Sequence, residues 1–549
     1  TLLGGNEVET GSDFIYDPAS DNYLFIASTS SSDFPMVGNS FQNTFGGEND
    51  GVVGRIDAAG NLIYSSYIGG SDDDYAVALD MLPNGDYVIA GYTFSSDFPV
   101  ANAHDVEFSV NVKGWLAKFS QDNVLLWSTY LGGDAGFDRI SDVSTNSQGE
   151  IFAVGGTGSS SLGTPGVYQE NNLNAEGAGF LTKYDSNGFP VWYTYISDVI
   201  DSPNIRAIAL SLDGNSIYVV GDSNSESELI FDNSTHQSEN AGLTDAALFS
   251  FSSESGTLDW GTFYGGDNFE RDLDLSVTSD GLVILTGSTR SSSGISTSDA
   301  LNTELSLGAR DGFITAFGQN GQQFWGTYLG SNSQGAIFPY LSIQDQDIFL
   351  SLSTSSNSLS IIGNDPYVPQ IGEVSTGNFA GYIAKLDSNG NFDWSSYSNP
   401  DYECSHCRII AAGDEGSFAC LGSFPDDSNV DECLDNLSSD AYQTDYGGGF
   451  VDMAFYFYND NTLSIANEEF EPLNIYPNPS SGFVTVEVPQ LLWASMNLTV
   501  TDLSGRQVDQ VNNFQSGNTY STNHLAEGIY ILSGRMGERM FREKLVVSD

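Results

Sequence analysis

Four histidines, His104, His236, His406 and His524, are all the imidazole in 549 residues, and none sits in a nucleophile context such as Gly-x-Ser-x-Gly. Any chemistry done here would fall to carboxylates. The chain has 73 Asp and Glu, of which residues 473–549 hold 7, leaving 66 before them. With so many, no facing acid and base of the kind a glycosidase needs can be singled out, and no catalytic residue is assigned. Asp387, Asn389, Asn391 and Asp393 alternate like the first half of a calcium loop, without the bidentate glutamate that closes one. Calcium there is the one cofactor the residues suggest; otherwise none is expected. Asp72-Asp73-Asp74 and Asp426-Asp427 are further oxygen-rich loops. Cys404, Cys407, Cys420 and Cys433 cluster within 30 residues. In an exported protein such a cluster reads first as a disulfide framework, with Cys404–Cys433 and Cys407–Cys420 nested as a hairpin would place them. The competing reading is zinc, because His406 lies within Cys404-x-x-Cys407, although the later gaps fit no common finger. Before the C-terminal segment there are seven arginines, Arg55, Arg139, Arg206, Arg271, Arg290, Arg310 and Arg408. Convergence of several at one place would make a site for a carboxylate or sulfate.

A formal charge of −57 excludes a nucleic-acid partner, which requires a basic footprint, and suits a heavily solvated surface. The charge is uneven. Residues 473–549 hold 5 basic and 7 acidic residues, net −2, so residues 1–472 carry −55 and a boundary falls near 473. No apolar run reaches the ~18 residues a membrane-spanning helix needs. High glycine and 12% aromatics, without sustained apolar spacing of 3 to 4, predict an all-β chain.

The elements that must position these groups recur. Trp127-Ser128-Thr129-Tyr130-Leu131-Gly132-Gly133 has counterparts in Tyr64–Gly70, Trp260–Gly266 and Trp325–Gly330, with worn copies at Trp192–Ile196 and Trp394–Tyr397. The Gly-Gly marks end at 5, 70, 133 and 266, so the steps are 65, 63 and then 133, two units. Each unit parses into four strands. In the second they are Tyr75–Asp80, Tyr87–Tyr92, Trp115–Phe119 and Leu125–Tyr130, with turns at Pro83-Asn84-Gly85 and Gln121-Asp122-Asn123. Third strands recur at Asp50, Ala178, Asp245, Asp311, Gly381 and Gly449, which makes seven units. A fixed period means one supersecondary unit reused, and four-stranded blades around an axis bury each sheet against the next. Thr1-Leu2-Leu3-Gly4-Gly5 is an orphan last-strand motif, which implies that a leader was removed ahead of it. Either this segment or 461–466 completes the seventh blade; the residues leave both open.

Asp33-Phe34-Pro35 and Asp97-Phe98-Pro99, the Asp-Gly before third strands, and the Trp/Tyr-Ser-Thr-Tyr-Leu-Gly-Gly mark together resemble the bacterial seven-bladed β-propeller repeat proteins over residues 1–458. The resemblance implies a propeller and an exported protein, with no common ligand. Asp185-Ser186-Asn187-Gly188 before Trp192 and Asp387-Ser388-Asn389-Gly390 before Trp394 faintly resemble the Asp-box turns of sialidases, but Asn-Gly there reads as a hairpin turn.

Residues 459–472 read as a polar linker. Beyond it Val484, Val486 and Val488, then Met496, Leu498 and Val500, alternate with polar residues, as in a small Ig-like β-sandwich with one wet face. Tyr476-Pro477-Asn478-Pro479 with Gly482, then Asp502 with Gly505-Arg506, then Gly528 with Tyr530, then Lys544 fall in an order similar to the type A C-terminal sorting domain of the type IX secretion system. That resemblance implies passage through the outer-membrane translocon, contact with its barrel-shaped shuttle protein, and cleavage for release or surface attachment. Contacts would fall to the motif turns and to Arg535, Arg539, Arg542 and Lys544. The chain is thus expected to be a secreted or cell-surface propeller acting as a binding or adhesion module toward a surface or glycan ligand. Loops 99–112, 159–177, 224–243 and 291–309, where the units differ most, are the natural contact surface. The alternative is a secreted carbohydrate-active enzyme, which would show two facing acids beside an aromatic platform at the axial mouth.

Overall fold

The computed structural model describes residues 2–459, apart from 109–110, 134–135, 175, 199–203, 225–233, 235, 307–309, 331–335, 355–358, 360–379, 399–405, 414–416 and 426–450, and residues 471–548, apart from 473, 488–494, 503–506, 527 and 537–538. It divides into two units, Thr1–Leu463 and Ser464–Asp549.

In the first unit the repeat becomes sheet in a regular way. Second strands such as Val283–Thr289 are continuous β-branched and apolar runs buried along their whole length, as a strand covered on both faces must be. Seven four-stranded antiparallel sheets form among the described residues, six of them from consecutive strands. The seventh joins His406–Ala412, Ser417–Pro425 and Val451–Asn459 to Leu2–Leu3, with Leu2 opposite Ala454 and Leu3 opposite Met453. The inner strands are Glu9–Asp17, Asp74–Met81, Asp138–Thr145, Asn204–Leu210, Glu270–Val277, Ala336–Gln344 and His406–Ala412; each lies beside the next, and the last lies beside the first. The ring is therefore closed, and the N-terminal segment closes it. The other candidate, 461–466, lies outside the described residues.

The recurring residues are the joinery of this ring. In the outer strand of blade 2, Ser128 Oγ accepts from Ala101 N at 2.9 Å and Thr129 Oγ1 from Asp105 N at 2.9 Å, while Tyr130 Oη donates to Ser95 O at 3.1 Å. Tyr67 and Tyr328 pin Ser31 O and Ser291 O in the same way, at 2.8 and 2.9 Å. The mark thus fastens the long loop between second and third strands to its own blade. Its tryptophan fastens the following blade. Trp127 Nε1 donates to Ser186 O at 3.2 Å and Trp325 Nε1 to Ser388 O at 2.9 Å. Gly188, at φ 83°, lies so close that a methyl group there would stand 2.8 Å from Trp127. The Asp-Ser-Asn-Gly turns are docks for these indoles.

The second unit has a five-stranded and a three-stranded sheet. Val484, Val486 and Tyr520 of the smaller sheet share one core with Leu498, Val500, Leu532 and Leu545 of the larger. Glu471–Pro472, within the stretch read from sequence as linker, pairs in parallel with Arg539–Val547 and so belongs to the larger sheet.

Candidate functional site

Every inner strand slips register close to its start, and the residues freed by the bulges of blades 1 to 6 line the axis. One residue is left unpaired in blades 1 to 4 (Ser12, Val77, Ser141, Arg206) and in blade 7 (Arg408); two are unpaired in blade 5 (Asp272-Leu273) and blade 6 (Phe338-Pro339). Bulges bend the strand and re-aim side chains. Here they open a channel of about 690 Å³, bordered by Ser12, Ser141, Arg206, Asp272 and Phe338 among others.

Five carboxylates line this channel; Asp272 pairs with Arg310, and the fold uses each of the other four to join blades. Asp13 Oδ2 accepts from Leu79 N, Asp142 Oδ2 from Ile208 N and Asp274 Oδ2 from Leu341 N, each at 2.8 Å. Their Oδ1 atoms accept from the next residue of their own strand, Phe14, Val143 and Leu275. Asp80 Oδ2 accepts from Thr145 N at 2.6 Å. Each acid therefore staples its blade to the following one. Loss of solvent raises Asp13 to about 7, Asp80 and Asp274 to about 6, and Asp142 well above its ordinary range; neighbouring carboxylates push Asp13 and Asp142 further in the same direction. The two facing acids of an enzyme are present in type, but their oxygens are already bonded to backbone amides.

Beside the channel, a second cavity of about 320 Å³ is lined by Arg271, Arg290 and Arg310 with Phe269, Phe338 and Asp272. Three of the seven arginines of the propeller thus meet at one point of a chain of net charge −57. Arg310 pairs with Asp272 and lies over the Phe338 ring, 5.5 Å from its centroid. Arg271 lies 4.6 Å from the centroid of Phe269. The Arg271 and Arg290 side chains are exposed. The backbone is bent to make this arrangement. Asp272 and Phe338 stand at φ 53° and 52°, and of the six described non-glycine residues at positive φ, Phe338 alone is not Asn or Asp. A bulky side chain in that region costs on the order of 1–3 kcal/mol and persists where its surroundings hold it. Across the mouth, Tyr75, Tyr92 and Tyr340 line a cavity of about 370 Å³, with Arg139 4.7 Å from the Tyr92 centroid.

The other arginines are placed differently. Arg55 is buried on Asp17 at 2.5 Å and Arg206 pairs with Asp222 at 2.6 Å; the Arg408 side chain lies outside the described residues. Neither His104 nor His236 lines the channel. His104 meets Phe189, His236 packs on Tyr264 and Phe317, and His524 Nε2 lies 2.8 Å from Asp509 Oδ2; His406 is described only as a strand position. Asp387 is used by its own turn, its Oδ1 accepting from Asn389 N and Asn391 N at 3.0 and 2.9 Å, while Asp393 lies 4.0 Å from Lys385. Among the described residues no three His, Cys, Asp or Glu side chains converge as a metal cluster. Cys420 is fully buried and engaged in a disulfide. Cys404, Cys433 and Asp426-Asp427 lie outside the described residues, and Cys407 is described only as a strand position.

In the second unit the ordered motifs also act as joints. Asn478 Nδ2 donates to Lys544 O at 2.6 Å and its Oδ1 accepts from Val546 N at 2.8 Å, so a side chain extends the edge of the last strand. It stands between two cis peptides, Tyr476-Pro477 and Asn478-Pro479. Gly482 at φ 137° leads into a turn whose carbonyl accepts from Thr522 N. Tyr530 Oη donates to Ala526 O beside Gly528. Tyr476 is half exposed. Asp502 ends its strand, and Gly505, Arg506 and the side chains of Arg535, Arg539 and Arg542 lie outside the described residues.

Residues 474–548 match the family model of the secretion system C-terminal sorting domain. No curated protein matches the chain. Among solved structures, the chain is similar to the β-propeller domain of Cps50 (Swd1) from Myceliophteria thermophila, at 8% identity over 76% of this chain and 96% of that one, TM-score 0.39. It is also similar to the β-propeller domain of the Trilobed protease from Pyrococcus furiosus, at 6% identity over 77% and 91%, TM-score 0.38. A polysaccharide lyase of family PL25 matches at 10% identity over 77% and 92%, TM-score 0.42. The protein is a β-propeller carrying a type IX secretion sorting domain, exported to the cell surface or the medium.

Proposed function

We propose that this exported propeller is a non-catalytic binding module whose axial mouth takes a carboxylate- or sulfate-bearing glycan. The observation that supports the reading is the meeting of Arg271, Arg290 and Arg310 beside Phe269 and Phe338, where two adjacent inner strands each hold a non-glycine residue at positive φ. Guanidinium groups bind such anions through paired N–H donors, and rings offer flat apolar surface to a sugar face. Arg271 and Arg290 are available to a ligand, whereas Arg310 is partly neutralised by Asp272. Adhesion to surfaces rich in acidic polysaccharide follows from this reading.

The enzyme alternative has less support, because Asp13, Asp142 and Asp274 each already hold two backbone amides. The experiment uses the full chain on immobilised alginate, dextran sulfate and neutral dextran. Retention on an acidic polymer and not on dextran is expected, with Arg271→Ala and Arg290→Ala each weakening it at least several-fold. Equal retention of both variants refutes the site, and appearance of new chain ends in the polymer favours the enzyme. For the C-terminal unit the proposed partner is the barrel-shaped shuttle protein of the translocon. A pull-down with residues 473–549 in place tests it against the same chain lacking them.

A further inference from the structure

The first glycine of each Gly-Gly mark lies where one blade hands the chain to the next, and at two of these joints it faces a pair of buried acids. Between blades 1 and 2, Asp50 opens a third strand and Asp74 opens the following inner strand; both are fully buried. Asp50 Oδ2 accepts from Gly46 N at 2.8 Å, and Asp74 Oδ2 from Gly70 N at 2.6 Å and Ser95 Oγ at 2.8 Å. The Oδ1 atom of each is buried without a hydrogen-bond partner. A methyl group on Gly69 would stand 2.4 Å from Asp50 Oδ1 and 3.0 Å from Asp74 Oδ2, so both carboxylates pack against this glycine, each from its own side of the joint. The joint between blades 4 and 5 repeats this with Asp245 and Glu270, again fully buried. There a methyl group on Gly265 would stand 2.3 Å from Glu270 Oε2 and 2.6 Å from Asp245 Oδ1, and that Oδ1 also has no partner.

A third joint serves as an internal control. Between blades 2 and 3, the position of Asp50 and Asp245 is occupied by Lys113, buried, with its ammonium 2.7 Å from Asp105. Asp138 stands where Asp74 and Glu270 stand, and Lys113 draws its pKa downward against the effect of burial. Both oxygens of Asp138 are bonded, to Thr157, Gly133 and Ser159. In blades 1 and 4 the counterparts of Asp105 are neutral, Gln42 and Gln237, whose amides donate to the Asp50 and Asp245 carboxylates. Where the sequence supplies its own cation, the joint has no orphan oxygen. At the first two joints, two carboxylates are buried together without a counter-charge, an arrangement that disfavours each charge retained.

We propose that the Asp50/Asp74 and Asp245/Glu270 joints each bind one calcium ion, which locks blade 1 to blade 2 and blade 4 to blade 5. Carboxylate oxygens are the ligands a hard divalent cation takes, and calcium sites in extracellular modules bind on the order of 10⁻⁴–10⁻³ M. An ion bound to the folded chain alone raises its stability by mass action.

The test uses the full chain freed of metal with a chelator and titrated with CaCl2, read by calorimetry and thermal unfolding. Two bound ions and a rise in Tm are expected. Asp50→Asn and Asp245→Asn should each lose one site, while Asp387→Asn should keep both. The paired change Gln42→Asp with Asp50→Lys, which copies the third joint, should fold and bind one ion. Absence of calcium binding, binding unchanged in Asp50→Asn and Asp245→Asn, or an equal Tm rise with NaCl at matched ionic strength would each overturn the proposal, the first leaving a shared proton as the occupant of the joints.

Discussion

Blades 2 and 5 start from the same template and end in different roles. Blade 2 follows the repeat throughout, with Asp97-Phe98-Pro99, the full Trp127–Gly133 mark, and a single unpaired residue, Val77, toward the axis. Blade 5 has the mark as well, and Tyr328 pins its loop just as Tyr130 does in blade 2. Its inner strand, however, frees two residues, turns Asp272 to positive φ and brings Arg271 to the mouth beside Arg290 and Arg310. The lesson is a division of labour. Residues that recur hold the ring, and the proposed ligand surface stands where a blade departs from the repeat while its fastenings stay intact.

The largest effect should come from breaking the frame itself. Asp142→Ala removes the acceptor for Ile208 N and Val143 N in the interior, and two stranded donors cost about 2–4 kcal/mol. Urea unfolding should show it as a lower midpoint with an unchanged slope. The same blades yield a pH signature. Asp13, Asp80, Asp142 and Asp274 all have folded-state pKa values above the usual carboxylate range, so the folded chain binds more protons than the unfolded one between about pH 4 and 7. The contribution of Asp13, Asp80 and Asp274 is complete below the unfolded pKa and lost as pH rises through 6 to 7, and that of Asp142 is lost in the same direction. Tm should therefore be higher at pH 5 than at pH 8, and Asp13→Asn should shrink that difference. A Tm flat across this interval would show that the channel acids stay solvated.

The repeat was legible because its residues do structural work at a fixed period. The Gly-Gly marks, the Tyr130 class and the Asn-Gly turns each serve a fastening that every blade needs, so spacing alone exposed them. The mouth was not legible, because Arg271, Arg290 and Arg310 come together only through a two-residue bulge, and neither Asp272 nor Phe338 is a glycine that would announce positive φ. One signal was available: three of the propeller's seven arginines fall within 40 residues. At Asp387 the alternating pattern coincides with a turn, whose amides Asn389 N and Asn391 N donate to the Asp387 carboxylate. Asp50 and Asp74 lie 24 residues apart on different blades, and no local pattern joins them.

Smaller effects sharpen the comparison further. Tyr130→Phe and Tyr328→Phe each remove one bond to a loop carbonyl and should each cost about 1 kcal/mol. Only Tyr328→Phe should also weaken binding to acidic polymer, because its partner Ser291 adjoins Arg290. Equal binding by both variants would detach the loop from the site. Salt gives a subtler readout. The net charge repels a polyanion at long range, while the arginine contacts act at short range, so retention should first rise as salt reaches about 0.1–0.15 M, where screening sets in over ~8–10 Å, and then fall. A steady fall from the lowest salt would mean that the local guanidinium cluster outweighs the whole field. Finally, the native chain should show no reactive thiol before reduction; four would refute the disulfide framework.

Because Leu2 and Leu3 pair with Val451–Asn459, the ring is sealed by strands from opposite ends of the propeller sequence. Six blades and most of a seventh must be in place before two leucines can leave water. Until then the nascent protein is an open arc with a sticky edge at either end, the condition in which a second copy could be taken up by mistake.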